Sequence, residues 1–312
     1  MADARQATFS SRAEIARGLA ARLPDLLVQA QRIAANVMLG VHGRRHPGPG
    51  DTFWQFRPYL PGESARQIDW RRSARDNHLY VREREWEASQ TIWLWVDLSP
   101  SMDFHSRLSE TTKLDRAVVL MLALADLLGR GGERVGMPGL APPRVGRDAA
   151  NRFAQVLAHA ELIEDWPRLD RVRRFSEVII FSDFLVEVDT MRERLRSLAG
   201  RDTGVHLLQV FDPAEEALPY NGRLEFRDPE SGVTWLTENA EGLRTRYLER
   251  LAEHRSAIRK FARRAGSSFL VHHTDRPAAE GLLHLQSRLS GDSSYTVPAN
   301  ARGDPARERP AA

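Results

Sequence analysis

Cysteine is missing from all 312 residues, which excludes a disulfide scaffold, thiolate zinc sites and cysteine nucleophiles. Lysine is nearly missing as well. Only Lys113 and Lys260 occur, so arginine carries almost all of the positive charge. The 45 basic and 42 acidic residues nearly cancel to +3, and the pI near 9.6 reflects the arginine bias, not a strongly basic chain. Long apolar runs are absent too. Residues 91–96 and 117–125 are the best, and a membrane-spanning helix needs about 20 apolar residues. The first ten residues lack the apolar core of a signal peptide. A cytoplasmic protein with no membrane span of its own is expected. No Gly-x-x-x-x-Gly-Lys-Ser/Thr occurs, so there is no P-loop, and Gly-Arg-Gly-Gly at 129–132 reads as a helix stop.

What is present suffices for a large core: 42% of residues are hydrophobic and 28% charged. Residues 12–39 carry apolar side chains at helical spacing, with a break or cap expected at Pro24 and a frayed stretch before residue 11. Residues 42–50 read as a Gly/Pro loop, and residues 51–90 are rich in Arg, Trp and turns. From residue 91 onward strands and helices alternate. Apolar runs at 91–96, 177–181 and 205–211 have the continuous character of strands buried on both faces. A short strand is predicted at 134–137 and a last one at 268–271. Helices are predicted at 113–128, 148–163, 188–198, 240–265 and 277–289, and a β-hairpin is inserted at 222–236. Residues 291–312 read as a disordered tail. The predicted fold is α/β, a mostly parallel sheet with helices on both faces. The predicted organisation is a helix and signature segment over 1–90, the α/β domain over 91–290, then the tail.

In such sheets ligands bind beyond the carboxyl ends of the strands. Two aspartates fall there, Asp97 and Asp183. Asp97-Leu98-Ser99-Pro100-Ser101 places three oxygen side chains at alternate positions in a tight turn. Carboxylate and hydroxyls form a hard-oxygen set suited to Mg²⁺ or Mn²⁺ with retained water. The competing reading is an Asx-turn or helix cap with no ligand. A haloacid-dehalogenase-type phosphatase needs a second Asp where Ser99 stands, so that nucleophile would lack its proton donor.

Further residues carry a family resemblance. Gly43, His46, Gly50, Arg57-Pro58-Tyr59-Leu60-Pro61-Gly62-Glu63, Arg66-Gln67-Ile68-Asp69-Trp70, Ser73-Ala74-Arg75, Leu79 and Val81-Arg82-Glu83 occur in that order. With Asp97-x-Ser99-x-Ser101 and Ser182-Asp183, this series resembles the bacterial family called domain of unknown function 58. The resemblance spans about residues 12–290. It implies a von Willebrand factor type A-like domain with a metal-ion-dependent adhesion site at Asp97, Ser99, Ser101 and Asp183. It also implies work beside a MoxR-type AAA+ ATPase on a client protein. Two departures stand out. Glu63 replaces the family's usual Asp, and the second-loop Thr of a type A site has no counterpart in residues 137–151, which hold no Thr or Ser and where only Asp148 offers a carboxylate.

Nine arginines between 44 and 84 alternate with Phe53, Trp54, Phe56, Tyr59, Trp70 and Tyr80. That mixture can bind nucleic acid. Seven acids among them and just after, Asp51, Glu63, Asp69, Asp76, Glu83, Glu85 and Glu87, favour an internal ion-pair network over nucleic-acid binding, with Trp70 as a buried anchor. Trp93 and Trp95 are expected in the core. His272 and His273 are adjacent in a strand, so they point apart and make a poor metal pair. The expected function is a non-enzymatic, metal-dependent protein-interaction module. The alternative is a metal-dependent phosphoester hydrolase using Asp97 and Asp183, with Asp103 or His105 as base.

Overall fold

A computed structural model of the chain describes residues 2–41, 53–59, 68, 70–75, 78–84, 90–159, 166–196, 203–264 and 267–289. The predicted loop at 42–50 and the tail at 291–312 lie outside these residues. The chain divides into two compact units, one of Met1–Met38 with Gln90–Ala312, the other of Leu39–Ser89.

In the smaller unit, β1 (Phe53–Pro58) pairs antiparallel with β2 (Tyr80–Arg84), with an irregularity between Phe53 and Gln55. Between them lies the one-turn helix α2 (Trp70–Ser73), and the Ser73 hydroxyl accepts the Tyr80 amide at 2.9 Å. Trp70 is not the buried anchor that was expected. It opens α2 and is 62% exposed. The side chains needed for the expected arginine network fall largely outside those described.

The larger unit begins with α1 (Ala2–Val41), which runs through Pro24 without a break. A proline inside a helix removes one hydrogen bond. Here burial of Leu19, Leu23, Leu26, Ala30, Ala34 and Val37 along one stripe outweighs that loss. The sheet contains β3 (Thr91–Val96), β4 (Arg134–Met137), β5 (Ala141–Val145), β6 (Ser176–Ser182), β7 (Gly204–Phe211) and β10 (Ser268–His273). Its order is β10-β7-β6-β3-β4-β5, parallel except for β5. The sequence does not reveal β5 because Pro142 and Pro143 argue against a strand. As the outermost strand it tolerates them.

Helices cover both faces, as expected. On one face Trp93, Trp95, Val178, Ile180, Val205 and Leu207 meet Met191 and Leu195 of α5 (Val188–Leu195) and Ile258 of α7 (Arg244–Arg264). On the other lies α3 (Lys113–Arg130), flanked by α4 (Ala149–Leu157) and α8 (Ala278–Leu289). α3 starts where Thr112 accepts the Asp115 amide at 3.0 Å, and it is buried all round, as its unbroken apolar run requires. Gly129 is not its stop. A Cβ there would sit 2.5 Å from the Gly146 carbonyl, so the glycine permits a close approach, and the chain turns at Gly132 with φ +87°. The inserted hairpin is present as β8 (Leu224–Arg227) and β9 (Thr234–Thr237), preceded by a short helix, α6 (Pro213–Ala217). No helix among the described residues is long and apolar enough to cross a membrane.

His272 and His273 do point apart. His273 reaches Glu216 at 3.0 Å, while His272 is buried beside Gly281 of α8. Burial drives His272 down to about 3, and the charges of Arg116, His273 and His284 add to it. The unfolded chain then takes up a proton that the folded chain refuses. Stability should therefore rise with pH from about 3 to 6.5 and level off above that. Urea titrations followed by circular dichroism should show a slope of up to about 1.4 kcal/mol per pH unit from this group. His284 contributes with the same sign, so the comparison needed is His272→Leu, which should flatten the slope between pH 5 and 6.5.

Candidate functional site

β3 ends at Val96, and the Asp97 amide still donates to the Phe181 carbonyl at 2.9 Å, so the ladder with β6 carries the aspartate to the sheet's carboxyl edge. The turn is then fixed by Asp97 itself. Its Oδ1 accepts the Ser99 amide at 2.9 Å, and its Oδ2 accepts the Ser182 hydroxyl at 2.6 Å. Pro100–Met102 follows as one 3₁₀ turn, closed by Met102 N–H to Ser99 O. The result sets the Ser99 and Ser101 hydroxyls 3.1 Å apart. The three residues read from the D-x-S-x-S spacing thus converge.

Asp183 lies close enough for its charge to act on Asp97, but both of its oxygens are engaged. Oδ1 accepts the Leu185 amide at 3.2 Å, and Oδ2 accepts the Lys113 ammonium at 3.0 Å. Lys113 also donates to Glu215 at 2.7 Å. Its side chain is 1% exposed, with the Phe104 and Phe211 ring centroids 5.7 and 6.0 Å from Nζ. Burial works against the Lys113 charge, yet Asp183 and Glu215 together hold its pKa above the ordinary lysine value. Burial pushes the Glu215 carboxyl up, and Lys113 opposes that shift.

Asp97 differs. No Lys or Arg pairs with it among the described residues. Burial pushes its carboxyl up, Asp183 adds to the shift, and the bonds from Ser182 and Ser99 oppose it. One further acid faces this edge. Glu230, at the tip of the β8–β9 hairpin, has its pKa raised by burial and by the charges of Asp97 and Asp183.

The surroundings are tied down. Asp212 caps α6 through the Ala214 amide at 2.8 Å and accepts the Ser106 amide at 2.9 Å, fixing the far side of the site loop. Gln209 donates to the Asp183 carbonyl at 2.6 Å and accepts from Arg255 at 2.8 Å. Arg255 in turn bonds Glu216. An open cleft of about 440 Å³ lies alongside, lined by Glu14, Arg22, Pro100, Asp103, Arg227 and Pro229. Asp103 and His105 are exposed on the loop, and Asp148 starts α4 beside Arg152 without capping it.

A divalent ion fits this edge in charge and donor type. Lys113 pairs with Asp183 and Glu215, the Asp97 carboxylate lies within electrostatic reach of Asp183, and two hydroxyls stand side by side. Among the described residues, however, no three His, Cys, Asp or Glu side chains converge to hold an ion. The inner donors would therefore be hydroxyls and water, with Asp97 acting from behind them and Asp183 held back by Lys113. Sequence reasoning misses Lys113, Glu215 and Glu230. Lys113 leaves one trace, as a rare lysine opening an apolar helix.

The protein is thus an α/β protein with an acid-and-hydroxyl site at the carboxyl edge of a mostly parallel sheet. Residues 55–257 match the family described as protein of unknown function DUF58, and the chain belongs to that family. An uncharacterised protein of Mycobacterium tuberculosis, Rv1480, is 32% identical over 291 residues, covering 88% of this chain and 90% of its own. Mb1516 of Mycobacterium bovis matches to the same extent. Among solved structures, the conserved hypothetical protein BatB of Bacteroides thetaiotaomicron aligns over 65% of this chain and 99% of its own, at 17% identity and a TM-score of 0.38. An aerotolerance-related membrane protein of Bacteroides fragilis aligns over the same shares at 16% identity and a TM-score of 0.36.

Removing Lys113 should be costly, because it leaves Asp183 and Glu215 buried without their cation. Lys113→Met should lose about 3–5 kcal/mol of unfolding free energy in urea titrations. A loss below 1 kcal/mol would show that water reaches both carboxylates.

Proposed function

We propose that the protein is a non-enzymatic protein-interaction module whose contact site is the Asp97-Ser99-Ser101 edge, with Mg²⁺ or Mn²⁺ held there. The observation that carries this reading is the pair of hydroxyls 3.1 Å apart beside the Asp97 carboxylate, which pairs with no Lys or Arg among the described residues. When bound, the ion would supply positive charge and a coordination position for an acidic side chain of a partner, as in von Willebrand factor type A-like sites. The chain's own residues do the rest. Asp97 fixes the turn and sets the field, Ser99 and Ser101 present oxygens, and Ser182 and Asp212 hold the loop so that little ordering is needed on binding.

The reading favours recognition over phosphoester hydrolysis. Hydrolysis needs a base positioned at the reacting water. Asp103 and His105, the candidates on this loop, are exposed, and the buried acids are committed to structural bonds. The proposed partner is a MoxR-type AAA+ ATPase, acting with this protein on a client in maturation or remodelling. Family resemblance is the support for that step. A cytoplasmic location is proposed with it, any membrane role then coming through a partner.

Calorimetric titration with Mn²⁺ and Mg²⁺ tests the site. The wild type should bind one ion, and Asp97→Ala should lose at least about tenfold in affinity. Capture of the ATPase on the immobilised protein should then require the ion. Equal titrations for wild type and Asp97→Ala would reduce Asp97 to a turn residue and overturn the reading.

A further inference from the structure

The helix α7 packs on the sheet through one face, where Leu251, Arg255, Ile258 and Ala262 are buried. Arg255 donates to Gln209 at 2.8 Å, and the Tyr247 hydroxyl donates to the Glu215 carbonyl at 2.6 Å, so the rotation of the helix about its axis is fixed. That rotation turns Arg246, Glu249, Arg250 and Glu253 outward, and all four are exposed. They stand at i, i+3, i+4 and i+7, the spacing of a single stripe. Among the described residues none of the four has an ion pair or a side-chain hydrogen bond. Like charges lie one turn apart within the stripe, Arg246 with Arg250 and Glu249 with Glu253, an arrangement that weakens an isolated helix. Beside the stripe, the β8–β9 hairpin is a two-stranded sheet of its own. Its base is pinned to the start of α7. Glu241 accepts the Gly222 amide at 2.7 Å, and Arg244 donates to the Leu218 and Tyr220 carbonyls at 2.9 and 3.2 Å. Farther out, Phe226 and Trp235 stack with ring centroids 5.9 Å apart, and Trp235 is 54% exposed. An open cleft of about 770 Å³ lies between hairpin and helix, lined by Phe226, Trp235, Leu243, Arg246 and Arg250. A tryptophan half in water beside such a cleft is the residue type that anchors protein interfaces.

We propose that α7 and the hairpin form a two-fold interface with a second copy of this chain. Charge complementarity selects that occupant. A two-fold axis crossing the stripe midway between Glu249 and Arg250 sets two copies of α7 antiparallel. Each residue then lies opposite the one equally far from that midpoint. Arg250 meets Glu249 of the second copy, Arg246 meets Glu253 of the second copy, and the symmetry makes each pair occur twice. Parallel packing in register would oppose like charges at all four positions. The repulsion inside each stripe is thus answered by opposite charge across the interface. The same axis leaves both hairpins on one flank of the helix pair, with each cleft facing the second helix. Exposed ion pairs contribute little by themselves. The stacked aromatics therefore supply the apolar contact, and the charges set its orientation. The proposal does not depend on the metal reading.

Sedimentation velocity on the full chain over a concentration series tests it. The wild type should sediment as a reversible dimer at about 0.1 mM. Arg250→Glu and Glu249→Arg should each raise the dimer dissociation constant at least about tenfold, because each sets like charges opposite one another at two places. The double variant Glu249→Arg/Arg250→Glu restores opposite charges and should return the constant to within about threefold of wild type. Trp235→Ala should raise it about tenfold. These side chains are exposed, so folding should stay intact, checked by circular dichroism. A wild type that remains monomeric at about 0.1 mM overturns the proposal. A dimer that ignores the single charge variants or Trp235→Ala overturns it as well, because that dimer uses another face. Failure of the double variant to recover dimerisation overturns the antiparallel pairing and the proposal with it.

Discussion

One buried ammonium organises the carboxyl edge of this sheet. Lys113 is almost fully enclosed, and an isolated charge there would be very expensive to desolvate. Its two carboxylates meet that cost by coming from different elements, Asp183 from the end of β6 and Glu215 from α6. The start of α3 must therefore lie between them. That requirement fixes how α3 docks on the sheet, where the loop after β6 leaves, and where the α6 cap turns. The loop carrying Ser99 and Ser101 is held between these points, with Asp212 accepting its Ser106 amide. Buried ion pairs contribute little net stability compared with apolar packing, but they discriminate strongly against misplacement.

The same arrangement separates two aspartates that look equivalent in sequence. Both follow an apolar strand, and both sit at the edge where ligands bind. Asp183 is neutralised by Lys113, whereas among the described residues Asp97 is held by hydroxyl and amide bonds. Among the described residues, the D-x-S-x-S turn therefore carries a carboxylate with no Lys or Arg beside it. The neighbouring polar chain of Gln209, Arg255, Glu216 and His273 extends the edge across β7 and β10 without adding another free acid. Glu216 is held down to about 2, chiefly by its bond from His273 and then by Arg255.

The strands were legible because a strand buried on both faces writes a continuous apolar run, and Asp97 was legible because it ends one. The pairing of hydroxyls followed from local spacing. What stayed hidden was long-range or masked by a strong local signal. Pro142 and Pro143 concealed β5, since edge position cannot be read before the sheet order is known. Pro24 suggested a break that burial along α1 overrides. Trp70 suggested an anchor from residue type alone, yet it lies exposed. Lys113 meets Asp183 across 70 positions of chain and Glu215 across 102, and no periodicity encodes such meetings.

The prolines of β5 have an effect beyond concealment. A sheet's outer strand normally offers a rail of amide donors to any passing extended chain. In β5 two consecutive residues have none, and the strand already turns back antiparallel to β4. The rail is interrupted midway along a strand of only five residues. Growth of the sheet by addition of another chain is disfavoured on that side.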